Sequence, residues 1–71
     1  SLYVIEQGTK ISKEGERLIL KKDGKATQFV HIHDVDQVVI FGRVSLTPVV
    51  IAEFLKRGID TVFLDYRGRF L

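Results

Sequence analysis

The chain has 71 residues, 45% of them hydrophobic, with 11 Lys and Arg against 9 Asp and Glu, a net charge of +2 and no cysteine. That length holds one small domain, and the apolar share excludes a disordered tail. The absence of cysteine excludes disulfides and thiolate metal sites, the mild charge falls short of a strongly basic nucleic-acid binder acting alone, and no apolar run approaches the ~18 residues of a membrane span.

Residues 2–6 begin with an apolar run of strand formers, too short for a signal peptide and interrupted by Glu6. Gln7-Gly8 breaks it, residues 9–12 resume it, and Lys13-Glu14-Gly15-Glu16 is a predicted turn. Residues 17–21 form another strand around Leu18-Ile19-Leu20. Lys22-Asp23-Gly24-Lys25 carries Asp-Gly, a strong hairpin signal because both residues tolerate positive φ. Residues 26–32 pair back, so the first thirty-odd residues read as an antiparallel meander.

Val38-Val39-Ile40-Phe41 is a continuous run of β-branched and aromatic residues, the pattern of a strand buried on both faces. Gly42-Arg43 ends it, and Val44-Ser45-Leu46 is a short extended piece. Thr47-Pro48 opens a helix: Thr can cap the free N–H groups, and Pro lacks an N–H where none is needed. Ile51, Phe54 and Leu55 recur at helical spacing and are expected to pack on a sheet; Lys56, Arg57 and Gly58 suit the helix end. Residues 59–64 read as a second buried strand, and Asp65-Tyr66-Arg67-Gly68 as a turn. The expected class is α+β and mostly β: a two-layer antiparallel β-domain of six to eight short strands with one short helix over about residues 47–57.

A core of this size is marginal, so oligomerisation or docking against a second domain is the expected support. The chain stops at Arg69-Phe70-Leu71 as a strand pattern begins, the pattern expected of a fragment of a longer protein.

The most chemical-looking stretch is His31-Ile32-His33-Asp34-Val35-Asp36. On a strand His31 and His33 share a face and offer two nitrogens to a metal such as zinc. A site needs at least one more protein ligand; Gln37 follows Asp36, and the chain has no third histidine. With Val30 and Ile32 facing the core, both histidines face solvent and Asp34 starts a turn through its side-chain oxygen. No metal site is therefore assigned. No serine sits in a nucleophile elbow, Ser45 and Thr47 read as caps, and Asp60 and Asp65 as solvated strand-end acids. No catalytic residue is assigned either.

Lys10, Lys13, Arg17, Lys21, Lys22 and Lys25 fall on neighbouring strands or their turns, where cations normally block edge pairing. Arg43 differs: it follows a buried strand and precedes a helix N-terminus, both settings that suit an anion such as phosphate.

Two long stretches, "LYVIEQGTKISKEGERLILKKDGK" and "DVDQVVIFGRVSLTPVVIAEFLKRGIDTVFLDYRGRF", resemble the amino-terminal β-domain of the CRISPR-associated endonuclease-integrase of spacer acquisition, the Cas one family. The resemblance rests on the Gln-Gly-Thr…Lys-Glu-Gly-Glu-Arg-Leu opening, Val-Val-Ile-Phe-Gly, Ser-Leu-Thr-Pro, Arg-Gly-Ile-Asp-Thr-Val-Phe-Leu and Gly-Arg-Phe, in order over nearly the whole chain. It implies a prokaryotic cytoplasmic protein of antiviral defence with no membrane association. Its β-domains pair into a homodimer, and two dimers flank a small partner, Cas two, on DNA. It further implies a separate helical domain, outside residues 1–71, whose Glu, His and Asp bind Mg²⁺ or Mn²⁺ for cleavage and strand transfer, so that no cofactor is expected here. Some relatives place a DNA-wedging Tyr where Gln7 stands, and an arginine near DNA at the position of Arg43. Gln7 has no aromatic plane for stacking, which leaves Arg43 as the expected DNA contact. The alternative reading is a protein-interaction module with no nucleic-acid role, which the low net charge favours.

Overall fold

The computed structural model describes residues 1–65, 67, 69 and 70. Chain order is β1 (Leu2–Val4), β2 (Thr9–Glu14), β3 (Arg17–Lys22), β4 (Lys25–His31), a short 3₁₀ turn (Ile32–Asp34), β5 (Gln37–Phe41), β6 (Val44–Leu46), α1 (Pro48–Arg57) and β7 (Asp60–Leu64). The strands form two sheets, one ordered β1-β5-β7 and the other β4-β3-β2-β6. The mostly-β α+β class, the two sheets, the single helix and a strand number between six and eight all agree with the sequence reading.

Strand direction differs from it in part. Only β2, β3 and β4 form the expected antiparallel meander; β1 leaves it to pair parallel with β5. β5 pairs parallel with β7, and β2 parallel with β6. Parallel neighbours cannot be joined by a hairpin and need a long crossover. The meander supplies the crossover from β1 to β5, and β6 with α1 supplies that from β5 to β7. The β3–β4 hairpin follows its sequence signal, with Asp23 at φ 53° and Gly24 at φ 77°, the two positive values a two-residue type I′ turn needs.

The core lies between the sheets and under the helix. Ile11, Leu18, Ile32, Val38, Ile40 and Val50 are its fully buried side chains. Thr47 caps α1, its Oγ1 accepting the Val50 N–H at 3.3 Å, and Gly58 closes it. The buried face of α1 is Val50 and Phe54, not the expected Ile51, Phe54 and Leu55: Ile51 is 45% exposed and Leu55 78%. Val49, Val50, Ile51, Phe54 and Leu55 form an apolar band wider than one contact face, and the docking of α1 chooses which part of it is covered. The expected second buried strand is β7, which lies at a sheet edge with Phe63 45% exposed. The turn expected after it includes Tyr66 and Gly68, which lie outside the described residues. Its described part is closed by Asp65, whose side chain accepts the Arg67 and Arg69 N–H groups at 2.8 and 2.9 Å.

Candidate nucleic-acid interface

Two segments of chain run side by side, in parallel, through both sheets. Leu2, Tyr3 and Val4 lie beside Val38, Val39 and Ile40 in one sheet, and Thr9, Lys10 and Ile11 beside Val44, Ser45 and Leu46 in the other. Both segments change sheet at the same place, the first through residues 5–8 and the second through Gly42-Arg43. No ladder can continue across such a corner, so its backbone groups need other partners.

Gln7 supplies them. Its Nε2 donates to the Phe41 carbonyl at 2.8 Å and to the Ile5 carbonyl at 3.2 Å, and its Oε1 accepts the Arg43 N–H at 2.7 Å. The Gly8 N–H donates to the Arg43 carbonyl at 2.8 Å, so both backbone polar groups of Arg43 are engaged. Gly42, at φ 69°, sits directly under the Gln7 amide; a Cβ there would lie 2.7 Å from Nε2 and 2.8 Å from Cδ. This corner therefore requires glycine both for its backbone conformation and for the close approach.

Arg43, the residue singled out from the sequence, is exposed at this corner with its backbone fixed. Among the described residues no carboxylate lies within ion-pair distance of it. A shallow hollow lined by Gly8, Thr9, Val44 and Ser45 adjoins it. An exposed guanidinium on a fixed backbone can meet an anionic oxygen without first breaking an internal pair.

Four other basic residues are already engaged through their side chains. Lys22 pairs with Glu6 at 3.3 Å, and Arg57 with Glu53 at 3.0 Å and Glu16 at 3.1 Å. Hydrogen bonding to Arg57 holds the Glu53 carboxyl below its ordinary value. Arg17 lies over the Phe29 ring, 5.1 Å from its centroid, and Arg69 pairs with Asp65 at 3.0 Å. Lys10 and Lys21 stand directly opposite one another on adjacent strands, and Ser45 is the neighbour of Lys10 on its other side. Ser45 is thus exposed on a sheet face rather than capping the helix; Thr47 alone provides that cap.

The histidines do not lie on one strand as expected. β4 ends at His31, and His33 belongs to the 3₁₀ turn, which closes through the Val35 N–H and the Ile32 carbonyl rather than through an Asp34 side-chain bond. The two rings stack with centroids 5.6 Å apart, and His33 Nε2 is 3.1 Å from a Glu16 carboxylate oxygen. Ile32 is buried and both histidines are exposed, as the alternation indicated. Among the described residues no group of three or more His, Asp or Glu is assembled to hold a metal ion. Asp60 is exposed at the start of β7, and Asp65 at its far end is occupied with the turn.

Sequence reasoning passed over Gln7 as the site's organiser, because nothing local to Gln7-Gly8 signals that residues 41–43 lie beside it. It also passed over the opposition of Lys10 and Lys21, which depends on strand register.

The family model for CRISPR associated protein Cas1 matches residues 2–71. A CRISPR-associated endonuclease Cas1 from Rhodospirillum rubrum is 37% identical over 70 residues, covering 99% of this chain and 20% of the relative. Another from Chlorobaculum tepidum is 34% identical over 71 residues, covering 100% of this chain and 21% of the relative. The chain thus spans about a fifth of the length of these curated relatives. A chain of a solved partial Cas6-RT-Cas1–Cas2 complex superposes with a TM-score of 0.90 at 26% identity, over 99% of this chain and 21% of the other. With the parallel two-sheet corner, the Asp-Gly hairpin and the Thr47-capped helix all falling within the matched span, this chain belongs to the Cas1 family.

Proposed function

We propose that this chain is the β-domain of a spacer-acquisition endonuclease-integrase, in which it gives the protein a hold on the DNA backbone and a surface for pairing with a second copy. The observation that carries the DNA role is Arg43, whose backbone is bonded on both sides while its exposed guanidinium faces no carboxylate among the described residues. Phosphate contacts of this kind position a protein on a duplex without reading its sequence. Residues 1–71 act here as a scaffold, and metal-dependent cleavage and strand transfer, with Mg²⁺ or Mn²⁺, belong to a helical domain of the whole protein. The likeness to a chain of a Cas1–Cas2 complex supports a Cas2 partner for that whole protein.

The pairing role draws on the open face of the β1-β5-β7 sheet. Leu2 and Val4 face the core, whereas Tyr3 between them is 61% exposed, in one row with Val39 and Val62. Val39 is already buried and Val62 half-buried, so a second copy laid on this face would chiefly cover Tyr3. Light scattering of the purified chain should give a dimer mass, and Tyr3→Lys should give a monomer.

The DNA role is tested by fluorescence anisotropy with a labelled duplex that has splayed ends, at low salt. Binding that weakens in Arg43→Ala supports it. The second reading, a protein-interaction module, is favoured by the apolar groove of about 360 Å³ between α1 and β7, lined by Leu46, Ile51, Phe54, Leu55, Ile59 and Phe63. No detectable DNA binding at low salt would favour that reading. The purified chain should not cut DNA with added Mg²⁺ or Mn²⁺, and cleavage would contradict the scaffold role.

A further inference from the structure

On the face of the β4-β3-β2-β6 sheet that turns away from the core, one row crosses three strands: Lys21 of β3, Lys10 of β2 and Ser45 of β6. All three residues are exposed, while their chain neighbours Leu20, Thr9 and Ile11 are buried on the opposite face. Ser45 is two residues along the same segment from Arg43.

Like charges directly opposite across a strand pair are unfavourable. Lysines on sheet edges have a ready explanation, since they discourage pairing with another chain. That explanation fails for Lys10 and Lys21. β2 and β3 are the two central strands of this sheet, with both sides of each already hydrogen-bonded. Neither lysine has a carboxylate within ion-pair distance among the described residues, and the acid on the same face of β2, Glu14, lies at the far end of the strand opposite Arg17. The lysine that does have an acid, Lys22 with Glu6, follows Lys21 by one residue and so belongs to the other side of β3. Two cations and a hydroxyl are thus left facing solvent, and Arg43, without a carboxylate partner among the described residues, lies two residues along the chain from Ser45.

We propose that Lys21, Lys10 and Ser45 form a phosphodiester track that continues from Arg43 across the strands of this sheet. With neighbouring strands ~4.8 Å apart, the row spans about 10 Å, enough to meet successive phosphates of one nucleic-acid strand. The lysines act as point charges and the Ser45 hydroxyl donates to a phosphate oxygen. Bound phosphate relieves the repulsion that the free protein carries between Lys10 and Lys21. The track therefore sets how the duplex lies, running across β6, β2 and β3 rather than along them. This assignment rests on the proposed DNA binding of the chain.

The test is the salt dependence of duplex binding by the chain and its variants, measured by anisotropy, with circular dichroism as the check on folding. Lys10→Gln with Lys21→Gln keeps side-chain length and removes both charges. It should lower the slope of log K against log[salt] by about 0.9 per lysine, equally for duplexes of unrelated sequence. The unfolding midpoint at low salt should stay level or rise, because opposed charges are removed. Lys56→Gln, on the last turn of α1, is the matched control and should leave the slope at the wild-type value. If Arg43→Ala lowers the slope and the double lysine variant does not, the track is wrong and the role of Arg43 stands. If the lysine variant lowers it and Arg43→Ala does not, the track stands and the role of Arg43 fails. A wild-type chain that binds polyglutamate but no duplex at low salt overturns both, and marks the row as a site for an acidic protein.

Discussion

Gln7 and Arg43, 36 positions apart, are joined by the shortest side-chain bond at the sheet-changing corner, Oε1 to the Arg43 N–H at 2.7 Å. With the two Nε2 bonds to the Phe41 and Ile5 carbonyls, one amide serves three backbone groups that no strand partner reaches. Gln7→Ala leaves those groups without their partner and should lower stability by about 1–3 kcal/mol, measured by urea unfolding. Gln7→Glu should be no better than Ala, because a carboxylate cannot donate to the Phe41 carbonyl. A Glu variant as stable as wild type would mean that the Nε2 bonds contribute nothing.

Gly42→Ala tests the same corner from the other side. The left-handed backbone at φ 69° disfavours any Cβ, and this Cβ would also meet the Gln7 amide. The cost should exceed the roughly 1–2 kcal/mol of the conformation alone. Combined with Gln7→Ala, which opens the space, the double variant should lose less than the sum of the two singles. Strict additivity in a double-mutant cycle would show that the contact carries no energy of its own.

How far the fold could be read in advance follows the range of the forces involved. Asp23-Gly24 and Thr47-Pro48 are local signals, each satisfied within four residues, and both appear where the sequence put them. The β1–β5 and β2–β6 pairings join residues 35 or 36 positions apart, and nothing in either segment names its partner. The apolar run of residues 38–41 carried the pattern of a strand buried on both faces, which is the common setting of a parallel strand, yet the hairpin signal upstream led the reading towards an antiparallel arrangement throughout. The exposed placement of Arg43 was legible because it breaks a buried run beside a glycine. The corner bonds of Gln7 and the opposition of Lys10 and Lys21 were not, because they exist only in the register.

The helix offers a direct contrast between two neighbours. Phe54 is 3% exposed and Leu55 78%, although both are large and apolar. Phe54→Ala should cost about 3–5 kcal/mol in urea unfolding, the range for a buried aromatic. Leu55→Lys should change stability by no more than about 0.5 kcal/mol, as for an exposed position without special contacts. Equal losses at the two sites would restore the Ile51, Phe54 and Leu55 face that the spacing alone suggested.

The turn after β7 should make stability depend on acid. The Asp65 carboxyl is held below its ordinary value of 3.8, first by the Arg69 backbone N–H; burial, the next largest effect, opposes this, and the Arg67 backbone N–H and the Arg69 side chain add to the lowering. A carboxyl with a lowered pKa in the folded state binds fewer protons there than in the unfolded chain. Its contribution is therefore present above the unfolded value and is lost as pH falls through the folded one. Glu53, held by Arg57, is lowered too and adds to the same trend. Asp65→Asn isolates one share of it. Unfolding midpoints for wild type and Asp65→Asn should differ most near neutral pH and draw together below about pH 4. A gap that keeps its full size down to about pH 2.5 would mean that the ionised carboxylate is not what closes this turn.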